Sequence, residues 1–246
     1  MYSMLTIENL TRHVGNNHII NGIDLHIKAG QAIWLVGPNG CGKTSLINLI
    51  NGFYKPQSGA IILDGKHITK LSVEQRALEW VGRVFQSFGI FKNLTLEENL
   101  ALAFVKKLKR WQKWLTLSML PKEMKEQIAD VLKELDLYDK RKQLAGSLSW
   151  GQMRLLEIAR LYLQDTKLYL LDEPTAWVSP KLKGKVIQLL QKIIAQGKTV
   201  IIVEHDFGFL GEFVDEIFVM NDGKIIMKWP YEDIKNNPRL KEVYFG

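Results

Sequence analysis

The chain is 246 residues long, with one cysteine and no apolar stretch that approaches the ~18 residues of a membrane-spanning helix. A single cysteine excludes an intrachain disulfide. Residues 1–10 also lack the basic start and apolar centre of a secretory signal peptide. We therefore expect the protein in a reducing cytoplasm, with any link to a membrane made through a partner.

Acidic residues are fewer than basic ones, 26 against 33, which gives a formal charge of +7. The isoelectric point is near 9.3. This charge is compatible with nucleic acid, acidic lipid or nucleotide as a partner and selects none of them. With 46% hydrophobic residues, the chain has enough apolar side chains for a globular core.

The strongest motif is residues 37–45, which fit the phosphate-binding pattern G-x-x-x-x-G-K-[ST]. Glycines allow backbone N–H groups to close around a phosphate chain, and Lys43 reaches the β and γ phosphates. The Thr44 hydroxyl is suited to ligate Mg²⁺. The pattern predicts a nucleotide site formed by Gly37, Pro38, Asn39, Gly40, Cys41, Gly42, Lys43, Thr44 and Ser45.

The sequence on either side of this motif has the pattern that a phosphate loop requires. Residues 32–36 are an unbroken apolar run, which is typical of a strand buried on both faces of a parallel sheet. Residues 44–50 carry apolar side chains at helical spacing and stop at Asn51-Gly52. The order strand, loop, helix places a helix N-terminus where phosphates would bind.

A second group of candidate residues follows two other predicted strands. The apolar residues 168–171 lead into Asp172 and Glu173, and residues 199–203 lead into His205. Ligands bind at the carboxyl ends of strands in open parallel sheets. Asp172 is therefore a candidate Mg²⁺ ligand, and Glu173 a candidate base for the attacking water. His205 is a candidate γ-phosphate contact, although a single histidine at a strand end is more often structural.

Helical periodicity replaces strand patterns from residue 96 to about residue 141, with a break at Pro121. Residues 106–114 interleave basic and aromatic side chains. Such a face suits lipid headgroups or nucleic acid, but on a helix it is more often solvated, and we assign it no ligand. Farther on, Ser149 and Gln152 have the spacing of a capping box. A serine hydroxyl and the Gly151 N–H at a helix N-terminus also fit a second anion site.

In their order and spacing these motifs resemble the ATP-binding subunit of an ABC transporter, over essentially the whole chain. The resemblance implies that residues 37–45 are the Walker A motif and that residues 148–152 are the signature, with Ser149, Gly151 and Gln152 contacting the ATP of a partner subunit. It further implies that Gln86 is the Q-loop glutamine, active in catalysis and as a metal ligand. Asp172 corresponds to Walker B, Glu173 to the catalytic glutamate and His205 to the switch histidine.

The resemblance also implies an α/β fold, a P-loop NTPase (RecA-like) core with an antiparallel β subdomain and a helical subdomain. The chain would be a single ABC ATPase domain. Residues 1–86 and 164–246 would form the core with its β subdomain, and residues 87–163 the helical subdomain with the signature. Such subunits bind ATP and Mg²⁺, pack head to tail with a second ATPase subunit, and work with transmembrane permease subunits on the cytoplasmic face of the membrane.

Within this family, several short segments most resemble those of the ATPases of branched-chain amino acid or urea importers, and the lipopolysaccharide exporter ATPase is a close second. They are residues 84–86, 155–160, 203–206 and 243–246. Three positions depart from the family pattern. Val14 stands where an aromatic side chain usually stacks on adenine, Trp150 at the third signature position, and Ser179 where an interface aspartate is usual. Because two of these departures concern the partner, both a heterodimer and a homodimer of ATPases remain open.

A soluble ABC ATPase that acts on DNA or ribosomes is the alternative reading. Such proteins usually carry two cassettes or a long coiled-coil insertion. The single cassette, the short helical segment and the lack of a nucleic-acid motif favour transport, and no nucleic-acid partner is expected.

Overall fold

The computed structural model describes residues 2–85, 89–107, 120–204 and 213–235. Gln86, His205, residues 108–114 of the basic-aromatic stretch and residues 243–246 lie outside the described residues. The chain divides into two compact units. The first consists of residues 1–83, 166–173 and 193–246, and the second of residues 84–165 and 174–192.

The first unit contains two sheets. An antiparallel four-stranded sheet has the order β2-β1-β4-β5, and a six-stranded sheet has the order β10-β9-β3-β8-β7-β6. The strands are β1 Ser3–Val14, β2 Asn17–Lys28, β3 Ala32–Val36, β4 Ser58–Leu63, β5 Lys66–His67, β6 Val81–Val84, β7 Leu168–Asp172, β8 Thr199–Val203, β9 Glu216–Asn221 and β10 Lys224–Pro230.

The predicted burial of these strands is confirmed. Every residue of β3, β7 and β8 is buried, and β3 pairs in parallel with both β8 and β9. In β2, the side chains of Ile23, Leu25 and Ile27 are buried while Asp24 and His26 are exposed, as the alternation predicts for a strand with one buried face.

Two helices of the first unit pack beside these sheets. Helix α1 (Lys43–Asn51) ends at Gly52, whose left-handed backbone lets its N–H bond to the carbonyl of Leu49. Helix α2 (Val73–Glu79) begins with a capping box between Ser72 and Gln75. Buried side chains of both sheets and of α1 form one apolar cluster, which fixes the strand ends that carry the phosphate loop. Helix α7 (Tyr231–Lys235) is the last described element.

The second unit is helical. It contains α3 (Leu96–Ala101), a 3₁₀ segment Leu102–Lys107, α4 (Lys122–Glu134) and α5 (Trp150–Leu163). Most of α6 (Pro180–Ala195) belongs to this unit as well. Its Lys185 bonds to Asp136, and Lys192 bonds to Glu134, which ties α6 to the end of α4. Among the described residues, no helix has the length and apolar character that crossing a bilayer requires.

Candidate functional site

The loop between β3 and α1 has a conformation that only glycine tolerates at its two ends. Gly37 and Gly42 have φ angles of 150° and 109°. A Cβ atom on Gly37 would lie 2.0 Å from the carbonyl oxygen of Met220, and one on Gly42 would lie 2.7 Å from that of Ile19. The loop backbone therefore packs directly on β2 and β9, and the glycines of the motif are required by this close approach.

Two further contacts hold the loop and its lysine. The N–H of Gly223, in the β9–β10 turn, donates to the carbonyl of Cys41. The Lys43 ammonium donates to the carbonyls of Gly37 (2.7 Å) and Pro38 (3.0 Å), so it lies across the loop at the start of α1. The Cys41 side chain is buried in the apolar cluster beneath. The free N–H groups at the start of α1 and the ammonium together form a site for an anion.

Thr44 and Asp172 meet at the start of α1. The Thr44 hydroxyl lies 3.5 Å from Oδ1 of Asp172, the last residue of β7. The Oδ2 atom of Asp172 is buried and accepts no hydrogen bond from the residues that the structure describes. Hydroxyl and carboxylate oxygens are ligands that suit Mg²⁺. The Thr44 hydroxyl and the Asp172 carboxylate, which has unused acceptor capacity, could therefore supply two ligands of a magnesium site.

Asp172 is a buried carboxyl group with charged neighbours on two sides. Burial raises the pKa of Asp172 above its ordinary value, and the nearby Arg83 guanidinium opposes part of this rise. The Nη2 atom of Arg83 lies 3.7 Å from Asp172 Oδ2, and its Nη1 donates to Oδ1 of Asn48 at 2.5 Å. A buried acid with a charged partner beside a ligand loop is typical of a functional site.

Glu173 follows Asp172 but has different surroundings. It is half-buried, and its backbone has a φ of 51°, which is uncommon for any residue except glycine. Its N–H donates to the carbonyl of Val203 at the end of β8, which stabilises this conformation. The turn changes the chain direction directly after β7, so that Glu173 leaves the sheet at the edge where the phosphate loop lies.

The predicted signature residues lie in the second unit, at the start of α5. Ser149 is the N-cap: its Oγ accepts from the N–H of Gln152, and its own N–H donates to Oε1 of Gln152. The predicted capping box is therefore confirmed. Gly151 is buried, and a Cβ atom there would lie 3.3 Å from the carbonyl oxygen of Trp177 and 3.2 Å from Leu182. The glycine allows this contact between α5 and the segment before α6.

The departures from the family pattern are at exposed positions. Val14 ends β1 and is 58% exposed, and Trp150 is 55% exposed. Ser179 is exposed as well. Trp177, two residues before it, is 78% exposed and has a φ of 65°, an outlier for so bulky a side chain.

The structure thus brings together one subset of the predicted site residues, namely residues 37–45, Asp172 and Glu173, all in the first unit. Gln86 and His205 are outside the described residues. Sequence reasoning missed Arg83 and Asn48. The available signal was Arg83 itself, the single charge in the otherwise apolar stretch Val81–Phe85.

Three comparisons bear on this site. Residues 20–176 match the family model "ABC transporter". The chain is 33% identical to the high-affinity branched-chain amino acid transport ATP-binding protein BraF of Pseudomonas aeruginosa, over 99% of this chain and 98% of that protein. It is 32% identical to a probable branched-chain amino acid transport ATP-binding protein LivG of Archaeoglobus fulgidus, over 99% of this chain and 95% of that protein.

Solved structures are similar over the same length. One is the ADP conformation of an ATP-binding cassette of an ABC transporter, with a TM-score of 0.82, 30% identity and full coverage of both chains. Another is a dimeric cassette in a post-hydrolysis state bound to ADP and Pi, with a TM-score of 0.78 and 27% identity, covering 93% of this chain and 99% of that one. The predicted α/β P-loop NTPase fold is therefore confirmed.

This chain matches transporter ATPases along its length. It also has a glycine-containing loop between a parallel strand and a helix, a buried acid beside the threonine of that loop, and a capped helix α5. The chain belongs to the ABC transporter family, as a subunit that binds and hydrolyses ATP.

Proposed function

We propose that this chain hydrolyses Mg²⁺-bound ATP at the loop of residues 37–45 and powers a membrane importer. The observation that carries the proposal is the placement of Thr44 against Asp172, whose Oδ2 has unused acceptor capacity among the described residues. Thr44 and Asp172 would hold Mg²⁺, which neutralises the charge that develops on the phosphates. Lys43 and the N–H groups at the start of α1 would bind the phosphates.

Glu173 is the residue we propose to orient and deprotonate the attacking water. It stands at the carboxyl end of β7, next to the proposed metal ligand; the residue is half-buried, and the bond from its N–H to the Val203 carbonyl holds its backbone. Gln86 and His205 are proposed to complete the site, as metal ligand and γ-phosphate contact. Their roles come from the resemblance to the family.

We further propose that Ser149, Gly151 and Gln152 contact the ATP of a second ATPase subunit, and that Val14 contacts the base of this chain's own ATP. The similar dimeric cassette bound to ADP and Pi supports a second subunit. Permease subunits in the membrane would bind this pair at the cytoplasmic face, because the relatives are ATP-binding components of transport systems.

The cargo we propose is a branched-chain amino acid. Both relatives described above are named for this transport and match nearly the full length of the chain. The alternative of a soluble ATPase for DNA or ribosomes is not favoured, because these relatives are transport proteins.

The decisive experiment is to purify the tagged chain from its native membrane in mild detergent and identify the proteins that accompany it. Permease subunits should co-purify, and the complex reconstituted in liposomes should couple ATP hydrolysis to uptake of labelled leucine but not of labelled glutamate. The Glu173→Gln complex, which should not hydrolyse ATP, is the control that measures any uptake independent of hydrolysis. Recovery of ribosomal proteins or DNA without permeases would contradict transport, and leucine-independent uptake of another solute would contradict the proposed cargo.

A further inference from the structure

Arg83 closes a polar ring around the proposed magnesium ligands. Its Nη1 donates to Oδ1 of Asn48, and its Nη2 lies 3.7 Å from Oδ2 of Asp172. Oδ1 of Asp172 in turn lies 3.5 Å from the Thr44 hydroxyl. Thr44 and Asn48 are four residues apart on α1, so both lie on the same face of that helix. The ring therefore links α1, β6 and β7 at the point where the phosphate loop ends.

Three members of the ring are almost completely withdrawn from water, whereas Thr44 is half-buried. The side chains of Arg83 and Asp172 are 6% and 1% exposed, and Asn48 is 8% exposed. In such surroundings the position of a carboxylate is determined by its few polar neighbours, since water does not compete for it. The Arg83 guanidinium lies beside Oδ2 of Asp172, whereas the Thr44 hydroxyl lies beside the other carboxylate oxygen.

The planar guanidinium is suited to this geometry because it has two arms. One arm is fixed by Asn48, and the other faces the carboxylate, so the direction of the side chain is set before it contacts Asp172. A lysine has one ammonium group and cannot bond to Asn48 and face Asp172 from two separate nitrogens. The arrangement requires the shape of arginine as well as its charge.

We propose that Arg83 is a positioning residue that holds the Asp172 carboxylate toward Thr44, so that these two groups are placed to receive Mg²⁺. The inference rests on the proposed function, because it concerns the same metal. Arg83 itself does not touch the nucleotide: it acts through Asp172, as partners of metal ligands do in other sites. Asn48 acts one step farther out, by anchoring Arg83.

The test measures how much Mg²⁺ is needed to tighten binding of a fluorescent ATP analogue to the purified full-length chain. Arg83→Met should raise the Mg²⁺ concentration at half-effect by on the order of 10-fold to 100-fold, the range found for partners of metal ligands. Affinity for the analogue in EDTA should change less than about twofold, since the phosphate loop is intact. Arg83→Lys should restore only part of the loss, because it lacks the second arm.

Two further variants distinguish a positioning role of Arg83 from a general loss of stability. Asn48→Ala leaves Arg83 in place but removes its anchor, and should raise the Mg²⁺ requirement less than Arg83→Met does. Arg76→Met is the matched control: Arg76 is also buried in the first unit and also bonds to α1, through the carbonyls of Leu49 and Ile50, but at the end of the helix away from the loop. It should lower thermal stability without changing the Mg²⁺ requirement.

The possible outcomes separate this inference from the proposed function. If the unaltered chain binds the analogue equally well with and without Mg²⁺, the proposed magnesium site itself is wrong. If the unaltered chain responds to Mg²⁺ while Arg83→Met and Asn48→Ala need no more Mg²⁺ for half-effect than it does, the positioning role of Arg83 is refuted. An equal shift in Arg76→Met would likewise refute it, by showing that the effect follows from lost stability.

Discussion

Asp172 and Glu173 are adjacent in the chain, yet their surroundings give them different capacities. Asp172 is fully buried at the end of a central strand, whereas Glu173 is half-buried and turns out of the sheet. A buried carboxylate beside a threonine hydroxyl is suited to a cation, and a more accessible one is suited to a water molecule.

This difference predicts the behaviour of Glu173→Gln in the assembled transporter. ATP affinity should be retained, while steady-state hydrolysis should fall by about 10²-fold to 10⁴-fold, because an amide cannot accept the proton of the attacking water. Lys43→Ala should instead weaken ATP binding, since the ammonium is lost from the loop. Equilibrium binding and phosphate release measure the two effects. Turnover near that of the unaltered complex in Glu173→Gln would remove Glu173 from the proposed role.

The glycines of the phosphate loop provide a second prediction at the residue scale. Gly37→Ala places a methyl group 2.0 Å from the Met220 carbonyl oxygen, whereas Gly40→Ala places one where nothing lies within 4 Å. Both positions have positive φ angles, so each variant loses on the order of 1 kcal/mol through backbone strain. Gly37→Ala should lose considerably more stability than Gly40→Ala, and urea unfolding should show the difference in free energy of unfolding between the two variants. Equal losses would mean that the packing of the loop on β9 is not limiting.

At the scale of elements, much of the first unit is predictable from the sequence. Residues 32–36, 168–171 and 200–203 are continuous apolar runs because their strands are covered on both faces. The Arg83 ring is not predictable in this way. Arg83 and Asp172 meet because β6 and β7 are neighbours in the sheet, although 83 residues lie between these strands in the chain. The order of strands depends on the packing of the whole sheet and leaves no local signal.

A buried ion pair in α5 provides the prediction at this scale. Arg154 and Glu157 are 0% and 1% exposed and lie 2.8 Å apart; Arg154 also donates to the carbonyl of Phe85, and Glu157 accepts from the N–H of Gly89. Removing either partner takes from the other, which is buried, an opposite charge that it bonds to directly. Arg154→Leu or Glu157→Leu should each cost about 3–5 kcal/mol of unfolding free energy.

The double variant of this pair should cost less than the sum of the two single variants, because neither Arg154 nor Glu157 then remains buried without the other. The Lys122–Glu126 pair on α4 is the surface control, with side chains 91% and 61% exposed, and its removal should have no measurable effect. Urea unfolding followed by circular dichroism measures all of these variants. Additive losses from the Arg154 and Glu157 changes would contradict the coupling.

At the scale of the whole molecule, the motifs that keep the family pattern and those that depart from it belong to different ATP sites. The residues that the resemblance assigns to the chain's own ATP follow the family pattern apart from Val14, while Trp150 and Ser179, which it assigns to the partner's site, do not. We therefore expect the native complex to pair this chain with a different ATPase, whose signature completes this chain's site.

Subunit composition tests this expectation. Native mass spectrometry of the detergent-purified complex should show one copy of this chain and one of a second ATPase with a glycine at the third signature position. Glu173→Gln here and the matching change in the second ATPase should then reduce hydrolysis unequally. A complex with two copies of this chain and no other ATPase would establish the homodimer and require Ser179 to be accommodated symmetrically.

The bond from Gly223 to the Cys41 carbonyl has a kinetic consequence. With the β9–β10 turn holding one side of the phosphate loop and Met220 packed against its first glycine, the loop acquires its shape when the sheet folds. A receptor that is already shaped loses little conformational entropy when its ligand arrives. ATP and ADP should therefore enter by simple one-step association, without a slow rearrangement phase, and the nucleotide exchange rate should be governed by release alone.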